Sequence, residues 1–521
     1  MSKSLRSQLV IAIFIASVVS LCSQTAPPAD LDAYVANSMK TFEVPGMAVA
    51  IVKNGKIVAA KGYGVRKLGG PSQVDEYTMF GIASITKAFT TAALATLVDA
   101  GKLSWDDPVY QRLPGFVMYD PYVSREITIR DLLTHRSGLG LSEGDLLWWP
   151  PTTYTREEIV YKLRFLKPAS SFRSLSYDSL LFMTAGQIIP AATGTSWEDY
   201  IRRSIFAPLG MNNSNVSNTE FKPGDNYSFP HERVDGKLQV THFEALDNMG
   251  PAGSINSCAA DMAKWMQLQL NRGKFPDRDG YLFSEQQSKE MWSPQTILPV
   301  DDPPPPLARL KPTFADYALG WVLEDYHGRK LVGHYGIIEG FVSRVMLAPE
   351  ENLGVVVLTN AEEEGAFNSI LYHVLDYYFS LSPTDWTAAF KSVRDAQSKE
   401  AAETMKKAEG ARAADSRPSL PLKTYAGVYT DAWYGPITIR QENSGLIITF
   451  DHTPSMIGEL QHWQYDTFKA HWRDRTLEDA FVTFSLKPDG NIESARMSAV
   501  SPLADSSFDY QDLLLKPPEK K

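Results

Sequence analysis

The stretch MFGIASITKAFT, residues 79–90, decides the fold. Small and apolar residues continue from it to Val98, and Gly101 provides a C-terminal stop. The pattern predicts a helix that begins at Ser84 and carries Lys87 one turn along on the same face. A serine hydroxyl becomes a nucleophile when a neighbouring base accepts its proton, and a desolvated lysine can act as that base. The alternative is ordinary capping, with Ser84 as the helix cap and Lys87 exposed.

Strand-forming segments lie on both sides of this helix. Residues 47–64, MAVAIVKNGKIVAAKGYG, place an Asn-Gly pair between two β-rich runs, which is a strong hairpin signal. Four further strand candidates occupy residues 318–325, 329–336, 341–350 and 353–360. The chain between these groups is mostly helical in pattern, and its proline-rich loop 301–306 is expected to be irregular. Residues 30–382 are therefore predicted to form a mixed α/β (α+β) domain, an antiparallel sheet flanked by helices with a helical insertion.

The remainder of the chain changes character. Residues 383–415 are rich in Ala, Lys and Glu and predict a helical linker, with a flexible charged linker as the alternative. Residues 416–521 contain short β runs separated by turns, which predict a small all-β, lipocalin-like antiparallel domain. Its aromatic residues are expected to fill a barrel core: Tyr434, Trp463, Phe468 and Trp472. The linker composition predicts that this unit folds independently.

Composition excludes several classes of protein. The 521 residues are 44% hydrophobic and 21% charged, as in ordinary globular proteins, which excludes a mainly disordered chain and a coiled coil. A net charge of −10 with no concentrated basic stretch argues against nucleic-acid binding. Two cysteines cannot build a disulfide framework, and the nine histidines are scattered without metal-ligand spacing. We therefore expect neither a metal nor a cofactor.

The N-terminus is typical of a secretory signal. Lys3 and Arg6 precede the apolar run 9–21, whose 13 residues are fewer than the roughly 20 that a membrane-spanning helix needs. Residues 1–26 are therefore predicted to be a signal peptide, and the mature protein to be secreted or periplasmic without further membrane contact. An uncleaved anchor is the alternative.

The segment around Ser84 resembles the nucleophile motif of the serine β-lactamase and penicillin-binding protein superfamily, particularly the class C-like branch. Further segments resemble recurring parts of that branch in matching order: residues 127–139, 206–211, 251–266, 317–341 and 353–360. The resemblance covers roughly residues 30–380. It implies a β-lactamase/transpeptidase-like fold and an acyl-enzyme mechanism.

The second motif of the family normally reads Tyr-x-Asn, and residues 176–182, SYDSLLF, match it best. The resemblance implies that Tyr177 cooperates with Lys87 in moving protons to and from the nucleophile. Ser179 occupies the usual Asn position, and a hydroxyl cannot reproduce the paired donor and acceptor of an amide. Binding of an acylamino group is therefore in doubt. By its motif position, His135 is expected to make a structural hydrogen bond near a helix end.

The third motif is His-Tyr-Gly at residues 334–336, where many relatives have Lys-Thr-Gly. The resemblance implies that the Ile337 and Ser84 N–H groups form the oxyanion hole. Gly336 is expected to let the substrate approach the strand closely. His334 is expected to bind a substrate carboxylate or to tune the lysine and tyrosine electrostatically, and a purely structural histidine is the alternative.

Together these patterns predict an exported serine hydrolase that acts through Ser84, Lys87 and Tyr177. Its expected substrates are small molecules or peptides with a peptide bond, including one to a D-amino acid, or an ester bond. The alternatives are a class C-like β-lactamase and a non-catalytic penicillin-binding protein that senses the cell wall. A homo-oligomer is compatible with either.

Overall fold

The computed structural model describes residues 25–338 and 340–518. The predicted signal peptide, apart from its last two residues, lies outside this part of the chain. No helix among the described residues is long and apolar enough to cross a membrane.

An antiparallel sheet forms the centre of the first domain, with strands in the order β2-β1-β12-β11-β10-β9-β8-β7. In chain order the strands of this domain are β1 (Gly46–Lys53), β2 (Lys56–Gly64), β3 (Phe80–Gly81), β4 (His231–Val234), β5 (Lys237–Val240), β6 (Asn256–Ser257), β7 (Thr296–Ile297), β8 (Ala315–Tyr317), β9 (Val322–Tyr326), β10 (Arg329–Ile338), β11 (Phe341–Ala348) and β12 (Leu353–Thr359). The Asn-Gly hairpin and the four later strands are confirmed. The sheet joins both ends of the domain because β1 pairs with β12.

Strand β1, which lies next to the edge strand β2, explains the layered architecture. All eight of its residues are buried. Successive side chains of a strand point to opposite faces of the sheet, and here Ala48, Ala50 and Val52 enter one hydrophobic cluster while Met47, Val49 and Ile51 enter another. Such a strand must be covered on both faces.

Helices cover both faces of the sheet, and the described residues form fifteen α-helices in all. They are α1 (Leu31–Phe42), α2 (Thr86–Asp99), α3 (Val109–Arg112), α4 (Pro121–Glu126), α5 (Ile129–Leu133), α6 (Arg156–Lys162), α7 (Ser179–Thr193), α8 (Trp197–Ile201), α9 (Ala207–Leu209), α10 (Gly250–Gly253), α11 (Ala259–Leu270), α12 (Glu285–Met291), α13 (Glu364–Tyr378), α14 (Trp386–Gly410) and α15 (Leu422–Tyr425). Helices α1 and α13 pack on one face of the sheet, and α2 and α11 lie on the other. The predicted fold class is confirmed.

Two local predictions concern the linker and the proline-rich loop. The linker is helical, as predicted, since α14 runs without interruption to Gly410. The proline-rich loop is not irregular throughout, because a 3₁₀ helix spans Pro305–Leu310. Proline is tolerated in a first helical turn, where its missing N–H has no partner to lose.

The C-terminal domain is an eight-stranded antiparallel barrel whose strands follow chain order. They are β13 (Gly427–Asp431), β14 (Gly435–Glu442), β15 (Gly445–Phe450), β16 (Ile457–Gln464), β17 (Thr467–Trp472), β18 (Ala480–Leu486), β19 (Ile492–Ala499) and β20 (Leu514–Leu515). A bridge between Thr430 and Lys516 joins the first strand to the end of the last. Tyr434, Phe468 and Trp472 are fully buried in the core as expected, whereas Trp463 is half-buried.

The barrel and the first domain share one continuous hydrophobic cluster. Trp149 of the first domain packs edge-on against Phe508 of the barrel, with ring centroids 6.4 Å apart. The Tyr154 hydroxyl donates to the Tyr434 carbonyl, and Lys162 Nζ donates to the Trp433 carbonyl at 2.8 Å. The two domains thus share an interface, and independent folding of the C-terminal unit stays a prediction. A charged linker is visible in the sequence, but the interface that bypasses it is made by residues far apart in the chain.

Candidate active site

Ser84 lies in a 3₁₀ turn, Ala83–Ile85, that leads directly into α2. The residue before it, Ala83, has a positive φ of 45°, which is an uncommon conformation for a residue with a Cβ. The Ser84 side chain makes no capping hydrogen bond and is half-buried. The capping alternative is therefore wrong, and Ser84 stands at a turn with its hydroxyl free for other contacts.

Lys87 is completely buried, with 0% of its surface exposed. Its Nζ lies 2.8 Å from Ser84 Oγ, 3.1 Å from the Ala252 carbonyl and 3.5 Å from Ser179 Oγ. The alternative of an exposed lysine is wrong, because one turn of an apolar helix carries this side chain into the core. The arrangement holds an amine against the serine hydroxyl.

Burial also sets the charge of this amine. Desolvation lowers the pKa of Lys87 to about 7, and the charges of Asp145 and Asp178 oppose that shift. An ordinary lysine is protonated at neutral pH and cannot accept a proton. A lysine with a pKa near 7 can accept one from Ser84.

Tyr177 lies beside both groups. Its side chain hydrogen-bonds with Ser84, and Lys87 Nζ lies 4.9 Å from the centroid of its ring. Burial raises the pKa of Tyr177 well above 10, and the hydrogen bond with Ser84 opposes this only in part. Tyr177 is thus a neutral phenol that can donate a proton, which is one of the two transfers expected from the sequence.

Gly336 holds the β10 backbone against the serine turn. A Cβ at this position would lie 2.3 Å from the Ile82 carbonyl oxygen and 2.9 Å from the Ser84 backbone nitrogen. Only glycine allows this approach. The missing side chain makes room for the turn, and the expectation that the substrate also approaches the strand here stays a prediction.

The Ile337 N–H lies at the edge of β10 that faces away from β11. Ile338 closes the hairpin with Phe341, and a closing pair exchanges hydrogen bonds, so the Ile337 N–H faces the opposite edge. That edge has no strand beside it here, since β9 pairs with β10 only as far as Gly333. The assignment of the Ile337 and Ser84 N–H groups to an oxyanion hole stays a prediction.

His334 is buried, with 3% exposure. Its Nδ1 donates to the Tyr335 carbonyl at 2.6 Å, which leaves Nε2 to accept from the Tyr317 hydroxyl at 2.9 Å. Desolvation, with a smaller effect of Lys87, lowers the pKa of His334 to about 3. A neutral ring with both nitrogens engaged offers nothing to a substrate carboxylate, so the geometry favours the structural alternative.

His135 makes the structural hydrogen bond that was expected. It follows α5, has a positive φ of 54°, and its Nδ1 accepts from the Asp178 backbone N–H at 3.1 Å. Its ring lies 4.3 Å from that of Tyr177. His135 therefore fixes the segment that carries the tyrosine.

Buried acids near the lysine are the part of the site that sequence reasoning missed. Asp145 and Asp178 have exposures of 2% and 0%, and both act on Lys87 by their charge. Asp178 stands inside the Tyr-x-Asn match, at the position that the motif leaves unspecified. Asp145 has no motif around it, and nothing local distinguishes it from a surface acid.

Ile337 and Ile338 also line a cavity of about 400 Å³, whose lining does not include Ser84, Lys87 or Tyr177. The barrel supplies part of its wall, including Phe508. Carboxylates are numerous around it: Glu232, Glu362, Glu363, Glu364, Glu478 and Asp505. Among the described residues, no group of His, Cys, Asp or Glu side chains could hold a metal ion.

The sheet, the helical insertion and the serine–lysine pair define a serine hydrolase of the β-lactamase/transpeptidase type. The model of the Beta-lactamase family matches residues 31–378, so the chain belongs to that family. Residues 411–517 match a domain of unknown function, DUF3471. The chain is 29% identical over 462 residues to the unguisins hydrolase ungD' of Aspergillus campestris, covering 84% of this chain and 83% of the relative. It is 30% identical over 349 residues to protein flp of Staphylococcus aureus strain MRSA252, covering 64% of this chain and 63% of that relative.

A solved structure shares the fold over both domains. The octameric penicillin-binding protein homologue from Pyrococcus abyssi has a TM-score of 0.60 and 22% identity, covering 94% of this chain and 99% of that one. The extent of this match shows that the two-domain architecture recurs.

Proposed function

We propose that the protein cleaves peptide or ester bonds through an acyl-enzyme formed on Ser84. The observation that carries the proposal is the 2.8 Å contact between Ser84 Oγ and Nζ of the fully buried Lys87. A hydroxyl in contact with a desolvated amine has the base that nucleophilic attack requires.

The residues divide the proton transfers between them. Ser84 Oγ attacks the carbonyl carbon while Lys87 accepts its proton, and the N–H groups of Ser84 and Ile337 hold the oxygen that becomes negative. Tyr177 donates its phenolic proton to the leaving group and regains one from Lys87. Water then attacks the acyl-enzyme carbonyl, gives its proton back through the same groups, and releases Ser84.

The cleft favours substrates without a carboxylate near the scissile bond. Six acidic side chains and the Arg233 guanidinium line the cavity beside Ile337, so the acids that are ionised give it a negative charge that disfavours anions. Burial raises the pKa of Glu232 to about 7, and His334 is neutral and engaged. A β-lactam with a carboxylate beside its ring would meet this potential, which argues against a dedicated class C-like β-lactamase. The relative that is named as an unguisins hydrolase spans both domains, which supports hydrolysis of other carbonyl substrates.

Covalent labelling tests this proposal. A fluorophosphonate should add once to the protein, and peptide mass spectrometry should place the adduct on Ser84. Ser84→Ala should abolish both the adduct and ester hydrolysis, whereas Ser498→Ala, at an exposed serine of the barrel, should change neither. Labelling at another serine would refute the proposed nucleophile, and the absence of any adduct would favour a non-catalytic binding protein.

A substrate panel tests the substrate class. p-Nitrophenyl esters with a cationic, a neutral and an anionic acyl chain, D-amino-acid amides and a chromogenic cephalosporin should be compared at low salt. We expect the anionic ester and the cephalosporin to be the poorest substrates, and added salt to narrow the differences. A preference for the cephalosporin would establish the β-lactamase alternative.

We also propose export of the protein and its assembly into an oligomer. The composition of residues 1–26 supports cleavage of a signal peptide, which N-terminal sequencing of protein recovered outside the cytoplasm would test. The structural neighbour is described as octameric, and light scattering on the mature protein would show whether this chain also forms an oligomer.

A further inference from the structure

A loop of the barrel reaches the buried acid beside the catalytic lysine. Ser507 Oγ donates to Asp145 Oδ2 at 3.0 Å, and Trp148 Nε1 donates to Oδ1 at 2.7 Å. Asp509 of the same loop accepts from the Gly144 backbone N–H at 2.6 Å. Both oxygens of Asp145 therefore have donors, and one of the donors comes from the other domain.

Asp145 lies among charged and titratable groups of both domains. From the first domain, Lys87, Asp178 and Tyr177 interact with it through their charge. From the barrel, Asp505 and Asp509 do so. Lys87 is the one cation in this set, and the amine gains a positive charge when it accepts the Ser84 proton.

We propose that Ser507 is a positioning residue for catalysis, whose hydroxyl keeps the Asp145 carboxylate ionised and oriented so that its charge supports proton transfer from Ser84 to Lys87. The inference rests on the proposed function, in which Lys87 is the general base. It makes the barrel a part of the catalytic apparatus, because the first domain alone lacks this donor.

The direction of the effect follows from the charges. Burial raises the pKa of Asp145 to about 7, and the hydrogen bonds from Trp148 and Ser507 oppose that rise. Without the Ser507 hydroxyl, Asp145 becomes neutral more readily, and the pKa of Lys87 falls because an attraction for its proton is lost. The acid limb of kcat/KM then moves to lower pH, and the plateau falls because a less basic amine is a weaker general base.

The test is the pH dependence of kcat/KM for a neutral p-nitrophenyl ester, measured on the full chain. Asp145→Asn and Ser507→Ala should both move the acid limb to lower pH, by about half a unit or more for the former and less for the latter. Ser507→Thr keeps the hydroxyl and should restore the wild-type profile. The double variant should match Asp145→Asn alone, since Ser507 acts through that carboxylate.

The neighbouring serine provides a matched control. Ser506 Oγ contacts Ser142 Oγ at 3.0 Å across the same interface and does not contact Asp145. Ser506→Ala should therefore leave the profile unchanged, although it removes a similar interdomain contact. Ser507→Cys, with a side chain of similar size and a weak donor, should behave like Ser507→Ala and guards against a variant that fails to fold.

Three results would overturn the inference: a wild-type profile for both Ser507→Ala and Ser507→Cys, an equal shift for Ser506→Ala, or additive shifts in the double variant. Fluorophosphonate labelling of Ser84 in every sample separates this from failure of the proposed function. Labelled protein with unshifted profiles refutes only the role of Ser507, whereas wild-type protein without label refutes the nucleophile itself.

Discussion

Both domains contribute residues to the active site, and the two sets of contacts form in different ways. Within the first domain, Ser84 and Lys87 are three residues apart and come into contact through one helical turn. Between the domains, Ser507 of the barrel contacts Asp145 of the first domain, which is 362 positions away in the chain. The comparison shows that the reacting groups are set by local spacing, whereas their electrostatic surroundings depend on how the two domains pack. Variants of both domains test how strongly the contacts from the barrel affect stability and catalysis.

Removing the barrel should have the largest effect. A chain that ends at residue 415 would expose Trp149 and Tyr154 and leave Asp145 without its partner from the loop. Each large apolar side chain that loses its cover costs about 1.5–3 kcal/mol, so we expect aggregation or loss of the cooperative thermal transition. Calorimetry and size-exclusion chromatography measure this. A soluble, truncated enzyme with the wild-type melting temperature would show that the domains are independent.

Gly336→Ala tests the packing of β10 against the serine turn within the first domain. The new Cβ would lie 2.3 Å from the Ile82 carbonyl oxygen, so the serine turn or β10 must move. Displacement of a nucleophile by about 1 Å can lower the rate on the order of 100-fold, and overpacking costs about 1–3 kcal/mol of stability. Gly427→Ala is the control, because its Cβ would meet only a Tyr429 ring atom at 4.0 Å. Equal kcat/KM for both variants would contradict the close approach.

Ser179→Asn should have a smaller and selective effect. Ser179 is 8% exposed and its Oγ lies 3.5 Å from Lys87 Nζ, so an amide here would face both the lysine and the cleft. If it binds a substrate amide, turnover of acylamino substrates should rise relative to short esters by roughly 2- to 12-fold, the equivalent of about 0.5–1.5 kcal/mol. Parallel kcat/KM measurements decide this. Equal changes for both substrates would mean that Ser179 only contacts Lys87.

The sequence allowed the sheet and the placement of the serine–lysine pair to be predicted because both depend on short-range patterns. The hairpin at Asn54 and the i,i+3 spacing of Ser84 and Lys87 leave few alternatives. The barrel strands were also recognisable as alternating runs between turns.

The remaining features depend on tertiary contacts. The environment of His334 is set by Tyr317 on another strand, and the role of Gly336 by a turn some 250 residues earlier in the chain. Asp145 looks like a surface acid until the fold buries it. The independence of the barrel was inferred from the linker, but the free energy of the interface depends on aromatic residues that the linker does not contain.

The pH dependence of Ser84 acylation tests the central claim, that buried Lys87 is the general base. The pKa of Lys87 is about 7, and the neutral amine is the active form. The acylation rate should therefore rise about tenfold per pH unit below 7 and become level above it. Lys87→Ala should remove the activity together with this limb, while Asp145→Asn should move the limb to lower pH. A rate independent of pH between 5 and 9, or an unchanged limb in an active Lys87→Ala variant, would contradict the account.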